Sequence, residues 1–155
     1  MIELAFYRGP GRIEDRVIRK VTRSCFSHVE LVVGHHGPAG WCFSASPRDG
    51  GVRRKWIEFS ASHWEFLPVP WAPMSALARV QGEIGRPYDL AGLIGSQLLN
   101  LRRHSPDRWF CSELCAHALG LPRPNSFAPG DLYAHVIWAN RVCAGKAPEE
   151  SHAIA

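Results

Sequence analysis

Strand-like and helix-like segments are segregated along this chain. Short runs rich in β-branched and aromatic residues fill residues 2–69, interrupted by one amphipathic stretch at residues 13–22. Helix-spaced apolar positions dominate residues 74–143, and Pro68, Pro70 and Pro73 stand at the division. Elements sorted this way pack as a sheet with helices laid against it, so the expected fold class is α+β, a small antiparallel meander flanked by helices.

Segment by segment, residues 2–7 read as a strand that ends at Gly9-Pro10-Gly11. Residues 13–22 read as a helix, with Ile13, Val17, Ile18 and Val21 on one side and basic residues on the other. Residues 27–33 and 41–46 are expected to form a hairpin closed by a turn over 34–40, with two more strands at 52–57 and 64–69. In the second half, helices are expected over 74–84, 89–101, 112–119 and 132–143, with a polar loop over 102–108.

The 155 residues suit one domain, assigned to residues 1–143, with a polar tail over 144–155 that should fray. A hydrophobic fraction of 46% with a formal charge of only +4 excludes intrinsic disorder. No apolar run reaches the ~18–20 residues of a membrane span; the longest, near residues 90–99, is broken by Gly and Gln. Met1-Ile2-Glu3-Leu4 is not the basic-then-apolar start of a secretion signal, so the expected location is the cytoplasm. Fifteen of the 18 basic residues are Arg, scattered except for Arg12, Arg16, Arg19, Lys20 and Arg23. Without a stacking platform that cluster reads as a solvated helix face, and no nucleic-acid partner is expected.

Five cysteines, an odd number without a secretion signal, argue against a disulfide framework and for reduced thiols. Cys111 stands where a helix should begin, and free N–H groups and the macrodipole there favour a thiolate. Trp109 and Phe110 would shield one side of it, while Ser112 and Glu113 suit a first helical turn. The alternative is that Cys111 is a small core residue, the role that also fits Cys115 one turn further on. His28 is the natural partner, because alternation puts His28 and Glu30 on one face of a strand and Val29 and Leu31 on the other. A strand histidine facing a helix that begins with a thiol is the Cys/His arrangement of nucleophilic catalysis; the alternative is a half-buried structural histidine. The group that would orient the imidazole stays open among Ser44, Ser46, Glu30 and Asp49. Cys25, His28 and Cys42, with His35 or His36, offer metal ligands but lack the second close pair of a zinc finger. Cys111, Cys115 and His117 do not share a face, and no metal is expected.

Four segments carry a family resemblance. Phe26-Ser27-His28-Val29-Glu30-Leu31 with Gly34 resembles the histidine motif of circularly permuted, papain-like NlpC-type proteins, and Gly85-Arg86-Pro87-Tyr88-Asp89-Leu90 resembles their Gly-x-Pro-Tyr-Asp segment. Trp109-Phe110-Cys111-Ser112-Glu113-Leu114 resembles their nucleophile motif, and Pro129-Gly130-Asp131-Leu132-Tyr133 the segment that follows it. The matches run in order over residues 26–133 and are most similar to the YiiX-like branch, related also to lecithin:retinol acyltransferase-like enzymes. The resemblance implies a permuted chain, with the histidine before the cysteine, Cys111 as nucleophile and His28 as general base. It also implies a polar third member on the strand after the histidine strand, where Ser44 is the positional match although that branch commonly carries an acidic residue. Tyr88 is similar to a tyrosine lining the substrate site in such proteins.

The expected activity is a cysteine peptidase or amidase cleaving an amide in a small peptide, such as a peptidoglycan fragment, through an acyl-enzyme. Backbone N–H groups of Cys111 and Ser112 would stabilise the oxyanion, with Tyr88, Glu30 and Trp109 as candidates for the substrate site. No cofactor is needed. A wall-fragment substrate would require export by a partner or release on lysis, as for a phage-encoded enzyme. One alternative keeps the fold and acts on a lipid ester or thioester, with the Trp- and Pro-rich stretch 64–73 either shaping an acyl slot or capping the core. A second alternative is a binding module without catalysis.

Overall fold

The computed structural model describes residues 1–89 and 107–145. Five strands, β1 (Ile2–Tyr7), β2 (His28–His36), β3 (Ala39–Ser46), β4 (Gly51–Glu58) and β5 (Trp64–Pro68), form one antiparallel sheet in the order β4-β3-β2-β1-β5. Four α-helices accompany it among the described residues: α1 (Ile13–Thr22), α2 (Ala76–Gly82), α3 (Cys111–Ala118) and α4 (Pro129–Cys143). The class is therefore α+β.

The period-2 alternation of the strands sorts their side chains. Leu4, Phe6, Val29, Leu31, Phe43 and Ala45 face the main core, where Leu114 of α3 and Leu132 and Val136 of α4 complete it. Ala5, Val32 and Cys42 face the other way, under Ile57, Phe59, Trp64 and Phe66.

Three elements differ from the sequence reading. The sheet is not a simple meander, because the link after β4 carries the chain to the opposite edge and β5 pairs with β1, Tyr7 opposite Trp64. That edge lets Trp64 and Phe66 cover the second face with Phe59, ring centroids 5.2 and 4.9 Å from it. The β2–β3 turn is shorter than residues 34–40, since β2 continues to His36 through a register shift at Gly34, whose φ of 76° absorbs it. Helix α4 begins three residues early, with Pro129 in its first turn and the Asp131 carboxylate accepting from the Ala128 N–H at 3.1 Å. The expected helix over 89–101 and most of the loop over 102–108 lie outside the described residues, as does the tail beyond Gly145. Among the described residues no helix is long and apolar enough to cross a membrane.

A short connector ties the sheet to α3. Gly85 N–H donates to Val52 carbonyl at 3.0 Å and Val52 N–H to Arg86 carbonyl at 2.8 Å, which seals the start of β4. The next residues exchange bonds with Trp109, Asp89 N–H to its carbonyl and Trp109 N–H to Pro87 carbonyl, each 3.0 Å. Cys111 thus leaves an extended segment held against β4 and enters α3.

Candidate active site

Local sequence puts Cys111 at the first position of α3, where the chain leaves extended Phe110 (φ −96°, ψ 155°) and turns helical. The N–H groups of Cys111 and Ser112 lie in the turn whose amides have no partner within the helix. Cys111 itself is fully buried, and Ser112 donates its hydroxyl to Phe127 carbonyl at 2.6 Å, so only the Ser112 backbone is left for an oxyanion.

His28 opens β2 with its side chain 17% exposed. Its Nε2 meets Glu30 Oε1 at 2.7 Å, and the Cys111 thiol lies near enough to the ring to act on its charge. Burial by itself would lower the His28 pKa, but the negative charges of Cys111 and Glu30 and hydrogen bonds to both outweigh it and push the value up to about 10. Glu30 is buried at 1% side-chain exposure and is held by a fork from β4: Arg53 Nη1 to Oε2 at 2.7 Å and Nη2 to Oε1 at 2.5 Å. Burial opposes the Glu30 charge, yet the Arg53 hydrogen bonds and the His28 charge hold its carboxyl below the usual range.

The structure selects Glu30, of the four groups left open, as the partner of His28. Ser44, on β3, pairs with Arg53 of β4 and, continuing the β2–β3 register, lies beside Glu30; its hydroxyl donates to Val29 carbonyl at 2.6 Å and makes no bond to His28. A serine side chain is too short to reach past its own strand neighbour, whereas Glu30 is two residues along the histidine's own face. Ser46 accepts from Arg48 N–H at 3.2 Å. Asp49 sits one step further out, bonded to Arg53 Nε at 2.8 Å and Lys55 Nζ at 2.9 Å. Burial opposes its charge, but the hydrogen bonds and charges of these two cations together outweigh it and hold its pKa at about 2.

A cavity of about 390 Å³ opens on this face. Its polar wall includes His28, Glu30 and Arg53, and Tyr7, Ile18, Trp56 and Trp64 supply an apolar wall. Tyr88 lines it too; burial first, then the charge of Cys111, raises the phenol pKa. Trp109 does not line it. That indole is buried, donates to Glu83 Oε2 at 2.8 Å and packs on His117 at 4.9 Å, so it braces the connector. Within the Trp- and Pro-rich stretch only Trp64 faces the cavity; Trp71 donates to Asn140 of α4 at 2.8 Å.

No family model matches the chain, and no curated protein matches it. The site must therefore be judged on its own geometry. Among the described residues no group of three or more His, Cys, Asp or Glu side chains is arranged to hold a metal. Cys25 and Cys143 are exposed thiols, while Cys42 and Cys115 are buried with pKa values raised, first by burial.

Two residues that matter escaped the sequence reading. Arg53 looked like one of many scattered arginines, and only the β3–β4 register, Ser44 opposite Arg53, brings it over Glu30. Gly51 carried no motif at all; it bridges to Pro87 at φ 154° and admits the connector. The signal that bore on Arg53 was its place in the 52–57 alternation, on the same face as Lys55 and Ile57.

Proposed function

We propose that this chain is a cysteine hydrolase of the permuted papain-like, NlpC type, cleaving an amide in a small peptide such as a peptidoglycan fragment. The observation that carries the reading is His28 held at 2.7 Å by a buried Glu30, with the Cys111 thiol acting on the same imidazole. The strand-borne histidine, the thiol at a helix start and the four ordered motifs support it.

In the proposed reaction His28 takes the Cys111 proton and the sulfur attacks the carbonyl carbon. Backbone N–H groups of Cys111 and Ser112 receive the oxyanion. The C–N bond then breaks as imidazolium gives its proton to the leaving amine. Water, deprotonated by His28, hydrolyses the thioester and frees the acid. Glu30 keeps one imidazole orientation throughout. Because Cys111 has no exposed surface, a neighbour has to move aside to admit the carbonyl.

The test is site-resolved alkylation with iodoacetamide across pH 6–9. Toward pH 6 the rate at Cys111 should stay level in the wild type while the exposed Cys25 and Cys143 slow, and Cys111 should track them in His28→Ala. A wild-type Cys111 that tracks the exposed thiols rules the mechanism out and favours the binding-module reading. The aromatic wall of Tyr7, Trp56 and Trp64 favours a second substrate class, an acyl ester or thioester. Rates on p-nitrophenyl esters that climb with chain length would select it.

A further inference from the structure

The hydrogen bonds around Glu30 extend beyond the Cys-His pair. Arg53 is 15% exposed, and each of its three guanidinium nitrogens donates to a carboxylate: Nη1 and Nη2 to Glu30, and Nε to Asp49 at 2.8 Å. Asp49 is also held by Lys55 at 2.9 Å. The result is a continuous line of hydrogen bonds to the surface, His28, Glu30, Arg53, Asp49 and Lys55, with the Cys111 thiol beside its buried end. Glu30 Oε1 accepts from both His28 and Arg53, at 2.7 and 2.5 Å, so two cations share one oxygen, His28 from its own strand and Arg53 from β4.

We infer that Arg53 is a positioning residue for the reaction, holding Glu30 ionised and aimed at His28 Nε2. This inference rests on the proposed Cys-His chemistry. A carboxylate with Glu30's burial cannot keep its charge on one imidazolium alone, because desolvation disfavours the anion and imidazolium is lost whenever His28 gives up its proton. During the cycle His28 alternates between charged and neutral, and Arg53 is the cation that never leaves. The planar fork also fixes the carboxylate plane, which a single ammonium would not. Among the described residues the other titratable groups near this pair are Cys42 from β3, Cys111 and Cys115 from α3, and the connector's Tyr88, a phenol kept neutral by burial. Cys42 and Cys115 are buried thiols with raised pKa, and they add no competing charge in the range tested.

The sign of the effect follows. Without Arg53, Glu30 protonates at higher pH; its charge is lost, imidazolium is then less favoured and the thiolate it pairs with is depleted at the acid end. In Arg53→Met the alkylation rate at Cys111 should fall at least 10-fold at pH 6, referred to Cys25 in the same molecule, and less than about 3-fold at pH 9. Arg53→Lys keeps the charge and should bring the pH 6 rate back to within about 3-fold of wild type. A level Cys111 profile in Arg53→Met, beside a level wild-type profile, overturns the role of Arg53 and leaves the Cys-His reading standing. A wild-type profile that climbs with pH overturns both.

If Arg53→Met does not fold, the pair Glu30→Gln and Glu30→Gln/Arg53→Met decides the matter, since the double variant buries no unpaired carboxylate. An Arg53 that acts only through Glu30 has nothing left to do there, and the two profiles should coincide within about 2-fold. A further 10-fold loss at pH 6 in the double variant would show that Arg53 acts on the reacting groups directly, and the inference fails.

Discussion

Two adjacent glycines should respond very differently to the same methyl group. Gly50 has φ 80° and nothing within 4 Å of an added Cβ, so Gly50→Ala pays only the left-handed backbone strain, about 1 kcal/mol. Gly51 has φ 154°, and its Cβ would lie 2.1 Å from the Arg86 carbonyl oxygen, where ordinary contact begins near 3.4 Å. The obstruction is backbone, and it belongs to the carbonyl that accepts from Val52 N–H at 2.8 Å. Retreat by more than an ångström breaks that bond and loosens the neighbouring one from Gly85. Backbone strain of about 1–3 kcal/mol and two lost bonds of about 0.5–1.5 kcal/mol each give a destabilisation near 3–5 kcal/mol. With a urea m-value of about 2 kcal/mol/M, the midpoint should drop by roughly 1.5–2.5 M in Gly51→Ala and by about 0.5 M in Gly50→Ala. Tryptophan fluorescence reports the transition. Equal midpoint shifts for the two variants would refute the reasoning, because they would mean that the connector does not press on β4.

Ser44→Ala removes a buried hydroxyl bonded to Val29 carbonyl and should cost about 1 kcal/mol in urea unfolding while leaving the pH profile of Cys111 alkylation unchanged. A profile that moves would return Ser44 to the orienting role. The His28 pKa, raised from 6.5 in the unfolded chain to about 10, makes its contribution to stability complete below pH 6.5 and lost as pH rises through 10. The gap in melting temperature between wild type and His28→Asn should therefore narrow steadily from pH 6.5 to 10, and a gap that is constant over that range would contradict the coupling.

The resemblance motifs have structural uses that bear on how they are read. Gly130 packs so closely on Ser24 that a Cβ would meet its hydroxyl at 2.5 Å, and Tyr133 stacks on Phe26 at 4.6 Å and edge-on to Phe6 at 5.1 Å. The fourth motif thus docks α4 against the segment that leads into His28. Pro87 and Tyr88 likewise pair with Gly51 and Trp109. Both motifs thus bear on the placement of the two proposed reacting residues, one beside His28 and one beside Cys111.

Local patterns in the sequence determined the strands, the helices seen among the described residues and the α+β class, because alternation and 3.6-residue spacing are properties of a few consecutive side chains. They also singled out His28, from its place on a strand, and Cys111, from its place at a helix start. Pairing decided the rest. Nothing within residues 64–68 says which sheet edge they join, and β5 went to β1 because its aromatic side chains cover Ala5 and Val32 from there. Among Ser44, Ser46, Glu30 and Asp49, local chemistry allowed each to orient an imidazole. The register of β2, β3 and β4 chose Glu30 by bringing Arg53 across Ser44 to neutralise it. Trp109, read as shielding the cysteine from outside, is instead a brace, since its indole finds Glu83 only after the connector has folded onto β4. Side-chain type and spacing are written along the chain; a buried charge survives only where a distant residue meets it, and that meeting exists in the tertiary structure alone.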